Sequence, residues 1–204
     1  PHIAQVEVLK NSETDGITFR VEPWVNYRIG ENGRFETYGD GWAYQQNTGI
    51  AFEKESRHIV YNTSDLWIDT EEVKQLEGRT LHAPHWKDAR LVPGTMVAMR
   101  TWNRPTPGIF LDESQQITLR NVTVHYAEGM GLLAQRCTDI TLKGFNVSLK
   151  GDNDPRYFTT QADATHFSHC SGQIRLIDCE IFNQIDDATN IHGMYGMVMQ
   201  KRGD

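Results

Sequence analysis

ITLRNVTV, residues 117–124, returns as ITLKGFNV at 140–147 and, more loosely, as IRLIDCEI at 174–181. The first two copies lie 23 residues apart, and the third follows after 34. Their residues are largely β-branched or aromatic, side chains that suit a pleated surface better than a helix. Just upstream, Ile109-Phe110-Leu111 precedes Leu132-Leu133-Ala134 by the same 23 residues, so each repeat carries more than one short strand. A period in the low twenties with several strands per repeat indicates a solenoid. The Leu-x-x-Leu-x-Leu and Asn pattern of leucine-rich repeats is missing. A parallel β-helix is therefore expected, its core built on the ladders Ile117, Ile140, Ile174 and Leu119, Leu142, Leu176. The 11 residues by which 34 exceeds 23 fall in a polar loop around Gly151-Asp152-Asn153-Asp154-Pro155.

Downstream the same logic places acids. Asp163-Ala164-Thr165-His166-Phe167 recurs 24 residues later as Asp187-Ala188-Thr189-Asn190-Ile191, with Asp186 just before it. Equivalent positions of stacked coils are one strand spacing apart, roughly 4.8 Å. Asp163 should then lie over Asp187, His166 over Asn190 and Ser168 over His192. Alternation expects Phe167 and Ile191 to point inward, continuing a column through Leu133. It sends Ala164, His166 and Ser168 outward, with Ala188, Asn190 and His192. A corner just before Ala188 would exchange Asp186 and Asp187, so which of them faces Asp163 stays open.

An aspartate often does no more than close a turn. Unpaired acids aligned at strand spacing repel, however, unless one holds a proton or has another task. Imidazoles and an amide beside them suit sugar hydroxyls. The pattern points to glycoside cleavage, in which one carboxyl protonates the leaving oxygen and another acts from the opposite side of the sugar. Asp163, Asp186 and Asp187 are the candidate catalytic residues. His166, Asn190 and His192 are candidate sugar contacts, with Gln161 and Arg156 behind them. The spacing leaves the stereochemistry open, because a nucleophile needs about 5–5.5 Å and a water-activating base about 6.5–9.5 Å.

Residues 1–93 show strand alternation at Val6 and Val8 and at Ile17, Phe19 and Val21, but no repeat. They read as a small irregular β module, with a barrel among its options, ahead of coils that occupy 94–204. Glu71 to Leu76 is expected to form a helical turn. Trp42 and Trp86 fall in expected loops, where packing is a commoner role than stacking on a sugar. A net charge of −7 argues against a nucleic-acid partner, since a phosphate backbone calls for a basic face. No apolar run approaches the ~18 residues of a membrane span. Cys137, Cys170 and Cys179 fit neither a metal spacing nor a disulfide framework and read as free thiols in a β core. The histidines show no metal-ligand spacing, so neither metal nor cofactor is expected. The chain opens inside strand-like text without a starting Met and closes on Lys201-Arg202-Gly203-Asp204. The expectation is a piece of a longer protein whose signal peptide is not in this chain.

Three stretches carry a resemblance: NVTVHYAEGMGLLAQ (121–135), FTTQADATHFSHCSG (158–172) and DDATNIHGMY (186–195). They resemble glycoside hydrolase family 110, bacterial exo-acting α-1,3-galactosidases that include enzymes cleaving the blood group B determinant. The resemblance covers roughly residues 94–195. It implies a right-handed parallel β-helix, an inverting single displacement without a cofactor, an α-galactosyl glycan substrate and a secreted or periplasmic location. It also implies that Asp163 is the general acid and that Asp186 and Asp187 activate water. Fucose-branched or linear substrates, and a homo-oligomer or a monomer, stay open. The rival readings are a polygalacturonase-like hydrolase or lyase, and a non-catalytic sugar-binding or adhesin module.

Overall fold

A computed structural model of the chain describes residues 2–200, whose regular structure is all strand, with no helix among the described residues. Ten strands come first: β1 (Ala4–Ser12), β2 (Gly16–Val21), β3 (Tyr27–Ile29), β4 (Phe35–Gly39), β5 (Trp42–Gln45), β6 (Thr48–Phe52), β7 (Leu66–Trp67), β8 (Lys74–Gln75), β9 (Thr80–Ala83) and β10 (Met96–Arg100). Seven form an antiparallel sheet in the order β7-β6-β10-β1-β2-β9-β8, and β3, β4 and β5 form a separate meander. β7 and β8 stand at opposite ends of that order, so hydrogen bonds do not close the sheet into a barrel.

The alternating Ile17, Phe19 and Val21 are fully buried. Phe19 meets Phe35 and Trp86 edge to face, with ring centroids 5.9 and 5.6 Å away. Trp86 is thus a core residue, and Trp42 packs on Tyr44 and His2. The expected helical turn at Glu71–Leu76 is instead a turn leading into β8. Glu72 adopts a left-handed φ of 54°, which no right-handed helix accommodates, and Val73 bonds through its N–H to the Gly33 carbonyl.

After β10 the pairing becomes parallel. One ladder stacks β11 (Ile109–Asp112), β13 (Leu132–Gln135), β15 (Thr165–Ser168) and β18 (Thr189–His192). The other stacks β12 (Gln115–Val124), β14 (Thr138–Val147) and β16 (Ser171–Ile177), with β17 (Glu180–Ile181) also on β14. The registers follow the sequence repeats: Ile117 pairs with Ile140 and Ile140 with Ile174, while Leu119 pairs with Leu142 and Leu142 with Leu176. Thr138 pairs with Ser171 but Ile140 with Ile174, so a one-residue bulge lies between them and accounts for part of the longer third repeat.

The bends of successive rungs also stack. Glu113, Arg136 and His169 share a left-handed backbone, as do Gln116, Asp139 and Gly172, and Asn121, Gly144 and Asp178. Asn, Asp and Gly tolerate that region best and supply five of these nine positions. At Gly172 a Cβ would sit 2.4 Å from the Asp139 carboxylate of the rung below, so any larger residue would have to displace that side chain.

One inward column is corrected. Phe167 pairs with Ala134, and it is His166 that pairs with Leu133. Ala164 is fully buried in the ladder core instead of facing out, because the inward face of this rung begins before β15 does. Where the two halves meet, Ile3 just ahead of β1, with Phe52 and Ala98 from the sheet, packs with Phe158 and Ile185 from the second half. The buried Gln5 side chain donates to the Pro155 carbonyl and accepts from the Tyr157 N–H, both at 2.8 Å, docking the polar loop on β1. All three cysteines are free, with Cys137 buried and the others half-buried.

Candidate active site

The parallel hydrogen bonds run past the strand ends. The Gly131 N–H donates to the Asp163 carbonyl and the Ala164 N–H to the Asp187 carbonyl, each at 2.9 Å. Both acids therefore sit in register just ahead of β15 and β18, and Asp186 comes with them. The three side chains present oxygens that all lie within 4.8 Å of one another. A divalent cation could bridge such a set, but arginine already supplies positive charge here. Arg104 donates to Asp186 Oδ2 at 2.5 Å, and Arg100 approaches the same oxygen at 3.8 Å. The other oxygen of Asp186 accepts the Asp187 N–H at 3.1 Å.

The repeated tetrads D-A-T-H and D-A-T-N work alike. In each the fourth side chain turns back to the first. His166 Nδ1 lies 2.5 Å from Asp163 Oδ2, and Asn190 Nδ2 donates to Asp187 Oδ2 at 3.2 Å. His166 Nε2 also lies 2.8 Å from His192 Nε2, and His192 Nδ1 lies 2.6 Å from the Gly193 carbonyl. Asp163 is 2% exposed while Asp187 is open to solvent. The cluster thus joins one enclosed carboxyl to two accessible ones.

Each candidate residue now has a place. Asp163, Asp186 and Asp187 come together, with His166, His192 and Asn190 beside them. The ring nitrogens of both histidines are engaged with Asp163, with each other and with the Gly193 carbonyl. Gln161 donates to the carbonyls of Thr101 and Asn103 and holds the segment after β10. Arg156 is not part of the cluster. It clamps Asp154 at 2.6 and 3.0 Å, donates to the His125 carbonyl and lies over the Tyr126 ring. Burial works against ionisation of Asp154, but hydrogen bonds from Arg156 and from the Lys150 and Arg156 N–H groups outweigh it and hold its carboxyl down to about 2.

Sequence reading missed Arg100, Trp102 and Arg104. Together with Gln184, Asp186 and Asp187 they line a cleft of about 520 Å³. Arg100 is buried and donates to the Gln161 and Ile185 carbonyls at 3.1 and 2.7 Å and to Asp65 at 3.1 Å. Trp102 is 58% exposed, with the Arg100 guanidinium 5.5 Å from its ring centroid. The signal was available as Arg-x-Trp-x-Arg, a period-two pattern at the junction of the two halves.

Comparison with known proteins reaches beyond the recognised stretches. Residues 4–97 match the family model described as GLAA-B beta-barrel domain I. The whole chain aligns with proteins named Alpha-1,3-galactosidase B from Phocaeicola vulgatus, at 56% identity, Bacteroides fragilis, at 55%, and Parabacteroides distasonis, at 51%. The alignments take in 100% of this chain and 33–34% of each relative, so the chain spans about a third of the length of the curated relatives it matches. The first 93 residues, outside the sequence resemblance, are thus as much a part of the likeness as the repeats.

Proposed function

We propose, from the premise that this chain belongs to the family of the α-1,3-galactosidases it matches, that its carboxylate cluster is the acid–base centre of an exo-acting, inverting α-1,3-galactosidase. The observation that carries the reading is the meeting of Asp163 with Asp186 and Asp187 within 4.8 Å, from two neighbouring rungs. The parallel ladders are read as the first coils of a right-handed parallel β-helix, with the antiparallel sheet as the barrel-type module ahead of it. The protein is read as secreted or periplasmic.

Asp163 is the general acid. It is enclosed, so its proton goes to a bound sugar in preference to bulk water. Asp186 and Asp187 are the water-activating pair, with Asp186 oriented by Arg104 and Arg100 and Asp187 by Asn190. The proton of Asp163 moves to the glycosidic oxygen as the bond to C1 breaks. A water oxygen bonds to C1 from the other side and gives its proton to the pair. The closest oxygens are nearer than the 6.5–9.5 Å of a water-activating geometry. Inversion therefore rests on the family resemblance and on the freedom of the exposed Asp187 to swing aside and admit water. Trp102 offers a flat face beside the doublet for the apolar side of a galactose ring.

The test is to incubate the full-length protein with an α-1,3-galactosyl disaccharide and follow the released anomer by NMR. β-Galactose appearing first is the expected result. α-Galactose first would remove inversion, and no release would favour a binding module. Activity that survives exhaustive chelation separates the acid–base centre from a cation-dependent one.

A further inference from the structure

We propose that His166 and His192 are positioning residues that make Asp163 an acid, by forming a hydrogen-bond chain that must carry one proton more than the separate groups would. The inference rests on the reading of Asp163 as the general acid and explains how that acid is loaded. The chain has three links: Asp163 Oδ2 to His166 Nδ1, His166 Nε2 to His192 Nε2, and His192 Nδ1 to the Gly193 carbonyl. The carbonyl has no proton to give, so His192 Nδ1 carries one. Each of the other two links needs one proton between its heavy atoms, since two facing lone pairs repel. That makes three protons over Asp163, His166 and His192. An ionised aspartate and two neutral imidazoles hold two. The third sits on Asp163 as a carboxylic acid, or on a histidine as an imidazolium, and in every case the link at Asp163 contains a proton.

The surroundings favour the added positive charge. Asp186 and Asp187 stand within 4.8 Å of Asp163, while Arg104 and Arg100 address Asp186. Asn190 holds Asp187, the apolar Leu133 pairs with His166 on the preceding rung, and the Tyr195 ring stacks on His192 with centroids 6.2 Å apart. The Asp163 and His166 side chains are 3% and 13% exposed, so water does not stand in for either partner. When Asp163 gives its proton to the departing oxygen, two protons remain for three links and one lone pair faces another. That contact is relieved by uptake of a proton from solvent at the His192 end. The proton taken up balances the one the Asp186–Asp187 pair receives from the attacking water and later releases.

Leaving-group dependence tests this in the full-length protein. A disaccharide needs its departing oxygen protonated, whereas a nitrophenyl α-galactoside does not. For His166→Gln, kcat on the disaccharide is expected to fall about 100-fold with KM little changed, and kcat on the nitrophenyl substrate less than about 5-fold. His192→Gln, at the more open end, should show the same selectivity with about a 10-fold loss, and carries the test should the first variant not fold. Asp163→Asn is the reference. Should it show leaving-group dependence while both histidine variants lose equally on the two substrates, the relay is overturned and the acid assignment stands. Should Asp163→Asn itself lose equally on both, the acid assignment falls and the relay with it.

Discussion

Ala4 of β1 pairs with Met99 of β10 across almost the whole first half of the chain, whereas Ile117 of β12 pairs with Ile140 of β14 only one repeat away. The first half makes a sheet whose spatial order shuffles the chain order, and it buries Phe19, Phe35 and Trp86 in one shared core. The second half buries each residue against its counterpart one rung on. Exposure is accordingly lowest in the middle rung: Leu142 is fully buried, whereas Leu119 is half-buried and Leu176 is 37% exposed, because Leu142 has a paired rung on each side. Packing in the sheet is a property of the whole module; packing in the ladders is local and repeated. The candidate site uses both. Its acids come from the tips of two rungs, while Arg100 and Arg104, which orient one of them, come from the end of β10 and the segment after it.

The largest expected effect tests whether the rungs hold the chemistry. Asp163→Asn should cost about a thousand-fold in kcat on a disaccharide, about 4 kcal/mol of barrier, with unchanged melting. Steady-state kinetics beside a thermal scan checks it. A variant with near-normal turnover would leave the ladder as scaffold only.

Next comes the contrast between the cores. Phe19→Ala and Phe167→Ala each remove a fully buried ring and should each cost about 3–5 kcal/mol. Hydrogen exchange should locate the first loss in β1, β2, β9 and β10 and the second in the two ladders. Uniform loss of protection in both variants would show that the halves unfold as one.

Arg100→Met sharpens the seam. It leaves the Gln161 and Ile185 carbonyls without their donor and Asp186 without one cation. About 3 kcal/mol of stability should go, by denaturant melts, together with a fall in kcat. Stability lost without any change in turnover would confine Arg100 to the seam.

The smallest effect belongs to the polar loop. Asp154 is more acidic folded than unfolded, so its contribution is fully present above about pH 4 and drains away as pH falls toward about 2. Asp154→Asn should cost on the order of 2 kcal/mol at pH 7 and converge with the parent near pH 2. Parallel melting curves across that range would remove the loop as a source of the pH dependence.

Much of the second half was legible because a repeat states its own register. Once ITLRNVTV and ITLKGFNV are aligned, every pair in β12 and β14 follows, and the recurrence of D-A-T brings Asp163 and Asp187 together by the same rule. What failed there failed by one residue of phase. Leu133 was assigned to the inward column and Ala164 to the outward one, since alternation counted from Phe167 does not reveal where a rung bends into its strand. The first half offered no such rule. Alternation found β1 and β2, but no local feature says that β10 lies beside β1 or that Trp86 sits at the centre.

The amino-acid sequence by itself determined the ladder strands of the second half, their stacking register and the pairing of acids across two rungs, because those depend on side-chain period and on self-similarity, and both are written locally. Tertiary structure alone decided which partners each acid has. Arg104 reaches Asp186 across 82 positions, and His166 meets His192 across 26. Such contacts depend on how two separately packed halves dock, through Arg100, Gln5 and the Phe158 cluster, and no single stretch of chain contains that geometry.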